Sequence, residues 1–310
     1  MSGRDRMRHA AFTMRIPFTK MVGTGNDFVV VDAAARPLGR LRGRWGAVSR
    51  TLCDRHTGIG ADGVLVLERS RVAEARMRVF NPDGSEATMC GNGARCVARY
   101  LQERIRRRGD GQAAVTIETR AGLIAARVLD RRVAMRLTDP TALRLDLTLA
   151  VAGRRLRLGI VNTGVPHAVV PVASLDAVDV ARLGRLIRRH RAFVPWGTNV
   201  DFVQPDARHP ARLRVRTYER GVEGETLACG TGVAASAVVY GARRQLAAGS
   251  GAPASAQHRY DVQVRSGEVM AVSFRAVRTG RTLRVTDVVL EGTARRVFDG
   301  TVDWLLRRKP

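Results

Sequence analysis

The sequence predicts an α+β protein of two pseudo-symmetric halves, each a strand-rich sheet wrapped around a central helix. Three observations carry this prediction: short β-branched or alternating runs recur along the chain, helix-like stretches are few, and one glycine-rich cysteine segment occurs twice. Many short strands with isolated helices are typical of mixed folds and not of a parallel doubly wound sheet.

Runs of β-branched residues, or of alternating apolar and polar residues, predict the strands. Typical examples are FVVVD at 28–32, HAVVPV at 167–172 and RLRVRTYE at 212–219. The other predicted strands lie at 63–68, 75–80, 114–119, 123–129, 132–137, 200–204, 260–266, 270–276 and 282–292.

Helix-like stretches are predicted at 42–55, 90–106, 176–190 and 229–247. The segment 247–257, AAGSGAPASAQ, is rich in small and turn-forming residues and predicts a surface loop after the last helix. Helices are therefore expected as isolated elements among strands.

An internal repeat indicates the two halves. EATMCGNGARCVA at 86–98 aligns with ETLACGTGVAASA at 225–237. Upstream, RVFN (78–81) matches RTYE (216–219) with a one-residue slip, and GTGNDFV (23–29) resembles GTNVDFV (197–203). Three matches in the same order predict two halves related by a pseudo-twofold axis.

The length of 310 residues predicts two domains at roughly 150 residues each. We expect a disordered, basic N-terminal extension at 1–14 and an N-terminal domain at 15–138, completed by 293–310. The C-terminal domain is expected at 139–292.

The formal charge of +25 would ordinarily suggest a polyanionic partner such as nucleic acid. All of the 53 basic residues except Lys20 and Lys309 are arginine, and they are scattered through apolar segments. This pattern is typical of codon usage in a GC-rich genome, so we expect no nucleic-acid partner.

The shortage of lysine also argues against pyridoxal phosphate, which needs a lysine amine for its Schiff base. No run approaches the ~18 to 20 apolar residues of a membrane span, and the N-terminus lacks a secretory signal core. We therefore expect a cytoplasmic protein without a cofactor and without membrane association.

The four cysteines are too few for a disulfide scaffold and must be considered singly. Cys90 and Cys229 each open a helix at a Cys-Gly-x-Gly turn, where unpaired N–H groups and the macrodipole favour an anion and should shift a thiol toward thiolate. Cys96 lies inside the helix and is expected in the core, whereas Cys53 shows no sign of chemistry. The Cys90–Cys96 spacing does not suit zinc, so no metal is expected.

Two such thiols could hold one carbon between them, one sulfur on each face. One group would remove a proton and the other would deliver one to the opposite face, which is the requirement for stereoinversion at a C–H centre. Backbone amides at both helix N-termini would stabilise the carboxylate of the carbanion that forms.

From about Phe18 to about Asp299 the chain resembles the diaminopimelate epimerases, pyridoxal-independent enzymes that interconvert LL- and meso-diaminopimelate. The matching motifs are FTKMVGTGNDFVVVD, RHTGIGADGVLVL, RVFNPDGSEATMCGNGARC, TGVPHAVV, GTNVDFV and TYERGVEGETLACGTG. The resemblance implies an isomerase of lysine and peptidoglycan precursor synthesis, a homodimer, and an active site in the cleft between the two domains.

The resemblance implies that Cys90 and Cys229 are the acid/base pair and that His167 and Glu219 tune the thiols. Substrate contacts are implied for Asn26, Asn81, Gly91, Asn92, Asn199, Glu219, Arg220, Gly230 and Thr231. The planar fork of Arg220 suits a carboxylate, and Glu219 suits an ammonium group.

Two positions depart from the family pattern. Gly63 stands where many members have Gln, and Val165 stands where many have Asn. Asn162 is a candidate for the missing contact. Asp27 and Asp62 are expected only to cap turns.

Other functions remain open from sequence. A related fold could racemise proline or another amino acid, a basic nucleic-acid-binding protein would show binding that collapses with salt, and an inactive relative would have lost a cysteine. The nucleic-acid-binding alternative leaves the duplicated cysteine turns unexplained. The inactive relative is contradicted because both cysteines are present.

Overall fold

The computed structural model describes residues 12–35, 38–106, 114–249, 253–280 and 282–306. The chain forms two compact units. Met1–Leu123 with Ala294–Pro310 is the first unit, and Ile124–Thr293 is the second.

Strands dominate both units. The strands are β1 (Phe12–Gly23), β2 (Asn26–Asp32), β3 (Gly63–Glu68), β4 (Ala75–Phe80), β5 (Glu86–Ala87), β6 (Val115–Thr119), β7 (Gly122–Leu129), β8 (Arg132–Arg136), β9 (Thr141–Val151), β10 (Arg154–Asn162), β11 (Pro166–Pro171), β12 (Asn199–Pro205), β13 (Arg212–Glu219), β14 (Gly224–Thr226), β15 (Ser255–Gln263), β16 (Val269–Thr279), β17 (Thr282–Thr293) and β18 (Arg295–Leu306). The helices are α1 (Trp45–Cys53), α2 (Gly91–Arg106), α3 (Val180–Arg188) and α4 (Gly230–Ala247).

In the first unit, β18, β1 and β2 pair in antiparallel order. β2 then runs parallel to β3, β3 antiparallel to β4, and β4 antiparallel to β5 and parallel to β6. Helix α1 connects β2 to β3, and helix α2 follows β5 and packs on β1, β2, β4, β6 and β18.

In the second unit the same pairing sequence recurs. β9, β10 and β11 are antiparallel, β11 is parallel to β12, and β12 is antiparallel to β13. β13 is antiparallel to β14 and parallel to β15, and β16, β17, β8 and β7 extend the sheet. Helix α3 takes the place of α1, and α4 takes the place of α2. The predicted fold class is confirmed.

The strand registers define which residues of the two units are equivalent. Val79 pairs with Ala87 in the first unit and Thr217 with Thr226 in the second, which reproduces the one-residue slip of the sequence repeat. The third sequence match does not agree with the structural equivalence of the strands. GTNVDFV leads into β12, the counterpart of β3, whereas GTGNDFV leads into β2. Asn199 is therefore equivalent to Gly63.

The domain boundary differs from the expectation for residues 124–138, which belong to the second unit. The physical reason is strand pairing, because β8 joins the sheet of that unit through β17. The extension expected at 1–14 lies outside the described residues as far as residue 11. Residues 12–14 are not part of an extension, since they begin β1 and pair with 304–306.

Helix α4 is buried almost all round because its residues are small. Gly241 lies so close to the sheet that a Cβ there would sit 2.8 Å from the ring of Phe274. A helix without a polar face is buried on all sides, and α4 is buried in this way by its sheet. Among the described residues, no helix is long and apolar enough to span a membrane.

Candidate active site

Cys90 occupies the N-cap position of α2. Its carbonyl accepts the first helical hydrogen bond from Ala94 N–H at 2.8 Å, and Gly93 N–H donates to its sulfur at 3.4 Å. Gly93 must be small, because a Cβ there would lie 2.8 Å from the side chain of Leu65. The glycine-rich turn thus brings the start of the helix onto β3.

Cys229 occupies the same position on α4. Its carbonyl accepts from Val233 N–H at 2.9 Å. A Cβ on Gly232 would overlap the carboxylate of Asp201 on β12, so this glycine also permits close approach of helix and sheet. The two cysteines therefore have matching backbone settings, one in each unit.

The predicted substrate residues of the first unit lie around the start of α2. The Asn92 side-chain amide donates to Asn26 Oδ1, so these two residues are in direct contact. Gly63 begins β3, and exposed Asn81 follows β4 and donates to Ser85 Oγ at 2.9 Å. Gly91 is the first residue of the helix.

A polar cluster that the sequence reasoning missed supports Asn26. Lys20 Nζ donates to Asp27 Oδ2 at 2.6 Å and to the Gly60 carbonyl, and Arg55 bridges Asp27 and Asp62 at 2.8 and 2.7 Å. Asp62 in turn accepts from Asn26 Nδ2 at 2.9 Å. Burial alone would raise the pKa of Asp27, but hydrogen bonds from Arg55 and Lys20 lower it below its ordinary value.

Asp27 and Asp62 are thus more than turn caps. A signal was present in the sequence, since Lys20 is a lysine in a chain whose cations are otherwise almost all arginine. The compact ammonium fits a buried space between a carboxylate and a carbonyl that a guanidinium would overfill.

In the second unit, Asn199, Glu219 and Arg220 meet at the ends of β12 and β13. Asn199 Oδ1 accepts from Arg220 N–H at 2.7 Å, and the guanidinium of Arg220 donates to the carbonyl of Trp196 at 3.3 Å. Thr226 Oγ1 donates to Glu219 Oε1 at 2.6 Å. Gly230, the first residue of α4, completes this group.

Asn162 and Val165 lie in the turn between β10 and β11. Asn162 Oδ1 accepts from Gly164 N–H at 3.0 Å, so this side chain closes its own turn. The registers make Val165 equivalent to Asn26 of the first unit.

His167 belongs to a fully buried polar group beneath the start of α4. Its Nδ1 lies 2.7 Å from Asp201 Oδ2, and both side chains are inaccessible to solvent. Thr217 donates to the other Asp201 oxygen at 2.8 Å. His167 Nε2 lies 3.0 Å from Thr231 Oγ1, which is 3.5 Å from the sulfur of Cys229. Asp201 and Thr217 were missed from sequence.

Burial raises the pKa of the Cys229 thiol well above its ordinary value, and the carboxyl groups of Glu219 and Asp201 raise it further. Hydrogen bonds with Thr231 and the Gly232 N–H act in the opposite direction and do not compensate. Burial and the neighbouring carboxyl groups therefore act on the pKa of Cys229 against the shift toward thiolate that is expected from the helix N-terminus.

Glu219 is close enough to form a hydrogen bond with the Cys229 thiol. Burial raises the pKa of Glu219, and the bonds from Thr226 and Cys229 oppose this shift only in part. The remaining two cysteines are buried, and burial raises the pKa of Cys96 to about 12.

In each unit, an arginine–glutamate pair connects the short strand before the cysteine, β5 or β14, to the strand beside it, β4 or β13. In the first unit Arg78 donates to both oxygens of Glu86 at 2.8 and 2.9 Å. In the second, Arg216 donates to both oxygens of Glu225 at 2.6 and 2.8 Å. Such two-point pairs fix geometry as well as charge, and they hold β5 and β14 in place.

Known proteins are similar in sequence to nearly the whole chain. A family model described as diaminopimelate epimerase matches residues 18–142 and 159–282. The chain belongs to the diaminopimelate epimerase family. It is thereby a member of the racemase and epimerase class of isomerases.

Diaminopimelate epimerases from distant organisms are similar throughout. The protein of Aquifex aeolicus is 40% identical over 291 residues, covering 91% of this chain and 96% of the relative. That of Archaeoglobus fulgidus is 39% identical over 291 residues, covering 89% and 97%.

Solved structures show a shared fold beyond the family. A hydroxyproline epimerase from Agrobacterium vitis gives a TM-score of 0.67 at 19% identity, covering 96% of this chain and 92% of that one. A probable proline racemase from Agrobacterium radiobacter gives 0.64 at 19% identity, covering 93% and 92%. At this identity the likeness concerns the fold alone.

Proposed function

We propose that this member of the diaminopimelate epimerase family interconverts LL- and meso-diaminopimelate by a two-thiol reaction without a cofactor. The observation that carries the proposal is the duplicated helix start, with Cys90 and Cys229 each at an N-cap followed by a glycine-rich turn. The family relatives at about 40% identity support the substrate.

The substrate α-carboxylate would bind the first N–H groups of both helices, those of Gly91 and Asn92 and of Gly230 and Thr231. These amides lack intrahelical partners, and the helix dipole favours an anion beside them. Negative charge moves onto the carboxylate as the α-carbon loses its proton, so the same amides would stabilise the carbanion more than the ground state.

In one direction, the Cys90 thiolate would take the α-proton while the electron pair of the C–H bond passes to the α-carbon and carboxylate. The Cys229 S–H bond would then break, and its proton would form the new C–H bond on the opposite face. The raised pKa of the Cys229 thiol supports its role as the acid here. The reverse reaction starts from a Cys229 thiolate and a Cys90 thiol.

The second amino-acid group of the substrate would need its own polar partners. Asn26, Asn81 and Asn199 offer amides for this purpose, and Arg220 offers a planar fork for a carboxylate. Glu219 offers an oxygen for an ammonium group. Proline lacks this second group, so the proposal predicts no turnover of proline.

The test is incubation of the purified protein with LL-diaminopimelate in deuterated water. We expect deuterium to enter the α-position as the meso isomer forms, whereas L-proline should gain none under the same conditions. Turnover of proline without turnover of diaminopimelate would contradict the proposed function.

Lys20 also supports a reaction without pyridoxal phosphate, because its amine is buried in the ion pair with Asp27. Addition or removal of pyridoxal phosphate should leave the rate unchanged. We further propose a cytoplasmic location, since both thiols must remain reduced.

We propose a homodimer as well. The exposed apolar side chains of Phe298 and Leu305 on β18 are suitable for a contact between subunits. Light scattering tests the assembly by giving the mass of two chains.

A further inference from the structure

Asp201 is a fully buried charged residue without an assigned role. It lies in the middle of β12, binds His167 Nδ1 at 2.7 Å and accepts a hydrogen bond from Thr217 at 2.8 Å. A buried carboxylate is costly unless it is paired and hydrogen-bonded, and both of its oxygens are satisfied here.

The bond to Asp201 determines what His167 can do with its other nitrogen. An ionised carboxylate only accepts hydrogen bonds, so the proton of a neutral imidazole lies on Nδ1 and Nε2 is left as an acceptor. The Thr231 hydroxyl, 3.0 Å from Nε2, can donate to it, and the Asn199 amide nitrogen lies 3.4 Å from the same atom. The oxygen of Thr231 then accepts from the Cys229 thiol at 3.5 Å.

We propose that Asp201 is a positioning residue, which orients His167 and through it the Thr231 hydroxyl that contacts the reacting Cys229 thiol. When Cys229 gives its proton to the substrate, the Thr231 hydroxyl turns its own hydrogen from His167 to the new thiolate. No proton is transferred along the chain, and Thr231 stays a hydrogen-bond partner of both the thiol and the thiolate. This inference rests on the proposed function and adds a residue to it.

The first unit shows that the fold itself does not need these polar groups. The strand registers make Phe28 equivalent to His167, Leu65 to Asp201 and Val79 to Thr217. All three residues of the first unit are buried and apolar. The same scaffold therefore packs well with hydrocarbon in these places, which favours a chemical and not a structural reason for the polar set.

The second glycine of the cysteine turn is consistent with this role. A Cβ on Gly232 would overlap the Asp201 carboxylate, so the carboxylate lies directly against the first turn of α4. The groups that face Cys229 are then Asp201 from β12, His167 from β11, Glu219 from β13 and Thr231 from α4.

The experiment uses Asp201→Asn, which keeps the shape and removes the charge. The rate of alkylation by iodoacetamide is measured against pH at Cys229 and Cys90 separately, by peptide mass spectrometry. We expect the Cys229 profile to move to lower pH, because a negative charge near the thiol is lost. The Cys90 profile serves as the internal control and should not move.

Steady-state kinetics with diaminopimelate form the second arm. We expect kcat to fall on the order of 100-fold with KM within about threefold of wild type, as for loss of acid–base orientation. In a His167→Gln background the same substitution should cost less than about threefold, since Asp201 acts through His167.

The matched control is His258→Phe, which removes another histidine contact, a half-buried one, in the same unit. His258 Nε2 lies 3.0 Å from Gln245 Oε1 near the far end of α4. This variant should lower stability without moving the Cys229 profile. If Asp201→Asn does not fold, Thr217→Val removes one bond that holds Asp201 but keeps the charge, so kcat should fall by a smaller factor with the Cys229 profile unchanged.

An unchanged Cys229 profile in Asp201→Asn, or full additivity with His167→Gln, would overturn the role of Asp201. The alkylation arm needs no substrate. A wild-type protein that fails to epimerise diaminopimelate therefore refutes the proposed function and leaves the test of Asp201 intact.

Discussion

The two units of the protein share one scaffold and differ in the residues beneath their cysteines. In the first unit the residues under the helix start include Phe28 and Leu65, which are apolar. In the second unit the equivalent residues are His167 and Asp201, a buried hydrogen-bonded pair. The strand pairing thus fixes where each thiol stands, and the residues beneath it decide the electrostatic environment.

The polar residues of the first unit lie at different places. Buried Lys20 and half-buried Asp27 form an ion pair between β1 and β2, whereas the equivalent residues of the second unit are Ile160 and Pro166. The first unit therefore has its Lys20–Asp27 pair at positions where the second unit is apolar. The comparison teaches that a duplicated scaffold can be made asymmetric by a few substitutions without any change in strand order.

The largest effect is expected from removal of either thiol. Cys90→Ala and Cys229→Ala should each reduce epimerisation by roughly 10³-fold or more, because each loses one of two proton-transfer groups. The remaining thiol should still exchange the α-proton of the isomer that faces it, without inversion. Proton NMR in deuterated water, with each isomer separately, measures both.

We expect the two variants to exchange opposite isomers, which would separate the roles of the units. Cys53→Ala is the control, since Cys53 is buried away from the turns and should keep full activity. Near-normal turnover by either site variant would falsify the two-thiol reaction.

The next effect concerns the residues beneath Cys90. Leu65→Asp would give the first unit the carboxylate of the second without the histidine that pairs with it. We expect the free energy of unfolding to fall by about 3–5 kcal/mol, as for an uncompensated buried charge. Urea denaturation measures this, with Leu65→Met as a control that should cost less than about 1.5 kcal/mol. A loss below about 1 kcal/mol would mean that the first unit tolerates a charge there.

Much of the fold was predictable because local signals agreed. The helix-like stretches 42–55 and 90–106 contain α1 and α2, and the glycine turns placed the starts of α2 and α4 to within one residue. Strands β1, β9, β10 and β18 were not among those predicted. β9 and β10 are rich in leucine and arginine, which have no strong strand preference. β1 and β18 come from opposite ends of the chain and pair with each other, so long-range pairing determines their structure.

The site was predictable only in part for a similar reason. The cysteine turns are local motifs, so a repeat reveals them. Asp201 acquires its role only when β12 lies beside β11 and β13, a long-range arrangement. Its equivalence to Leu65 becomes visible after the repeat is aligned through β3, whereas the sequence match pointed to β2.

A moderate effect is expected at a residue that only the second unit has. Phe80 and Tyr218 are equivalent in the strand registers, and two residues further along each chain segment Pro82 corresponds to Arg220, so the first unit offers no guanidinium here. Arg220→Lys keeps the charge but loses the two parallel hydrogen bonds to a carboxylate. The fall in kcat/KM should correspond to a loss of about 1.5–3 kcal/mol in transition-state stabilisation. Arg212→Lys, exposed at the other end of β13, should leave kcat/KM unchanged. Equal kcat/KM values for the two variants would show that Arg220 does not contact the substrate.

The smallest effect concerns a feature that both units share, the two-point pair before each cysteine. Glu86→Gln and Glu225→Gln should each lower the free energy of unfolding by about 1–2 kcal/mol, because each leaves a half-buried arginine with a weaker partner. Urea denaturation at pH 7 measures both. Losses that differ by more than about 1 kcal/mol would show that the two pairs are not equivalent.

The pH dependence sharpens this test for the first unit. The bond from Arg78 lowers the pKa of Glu86 below its ordinary value, although burial opposes the shift. A carboxyl group whose folded pKa is depressed stabilises the protein above its unfolded pKa, and this stabilisation disappears as the pH falls through the folded pKa. The difference in stability between wild type and Glu86→Gln should therefore shrink as the pH is lowered from about 5 toward 3. A difference that stays constant over that range would mean that the charge of Glu86 contributes nothing, and that the pair holds β5 through its geometry alone.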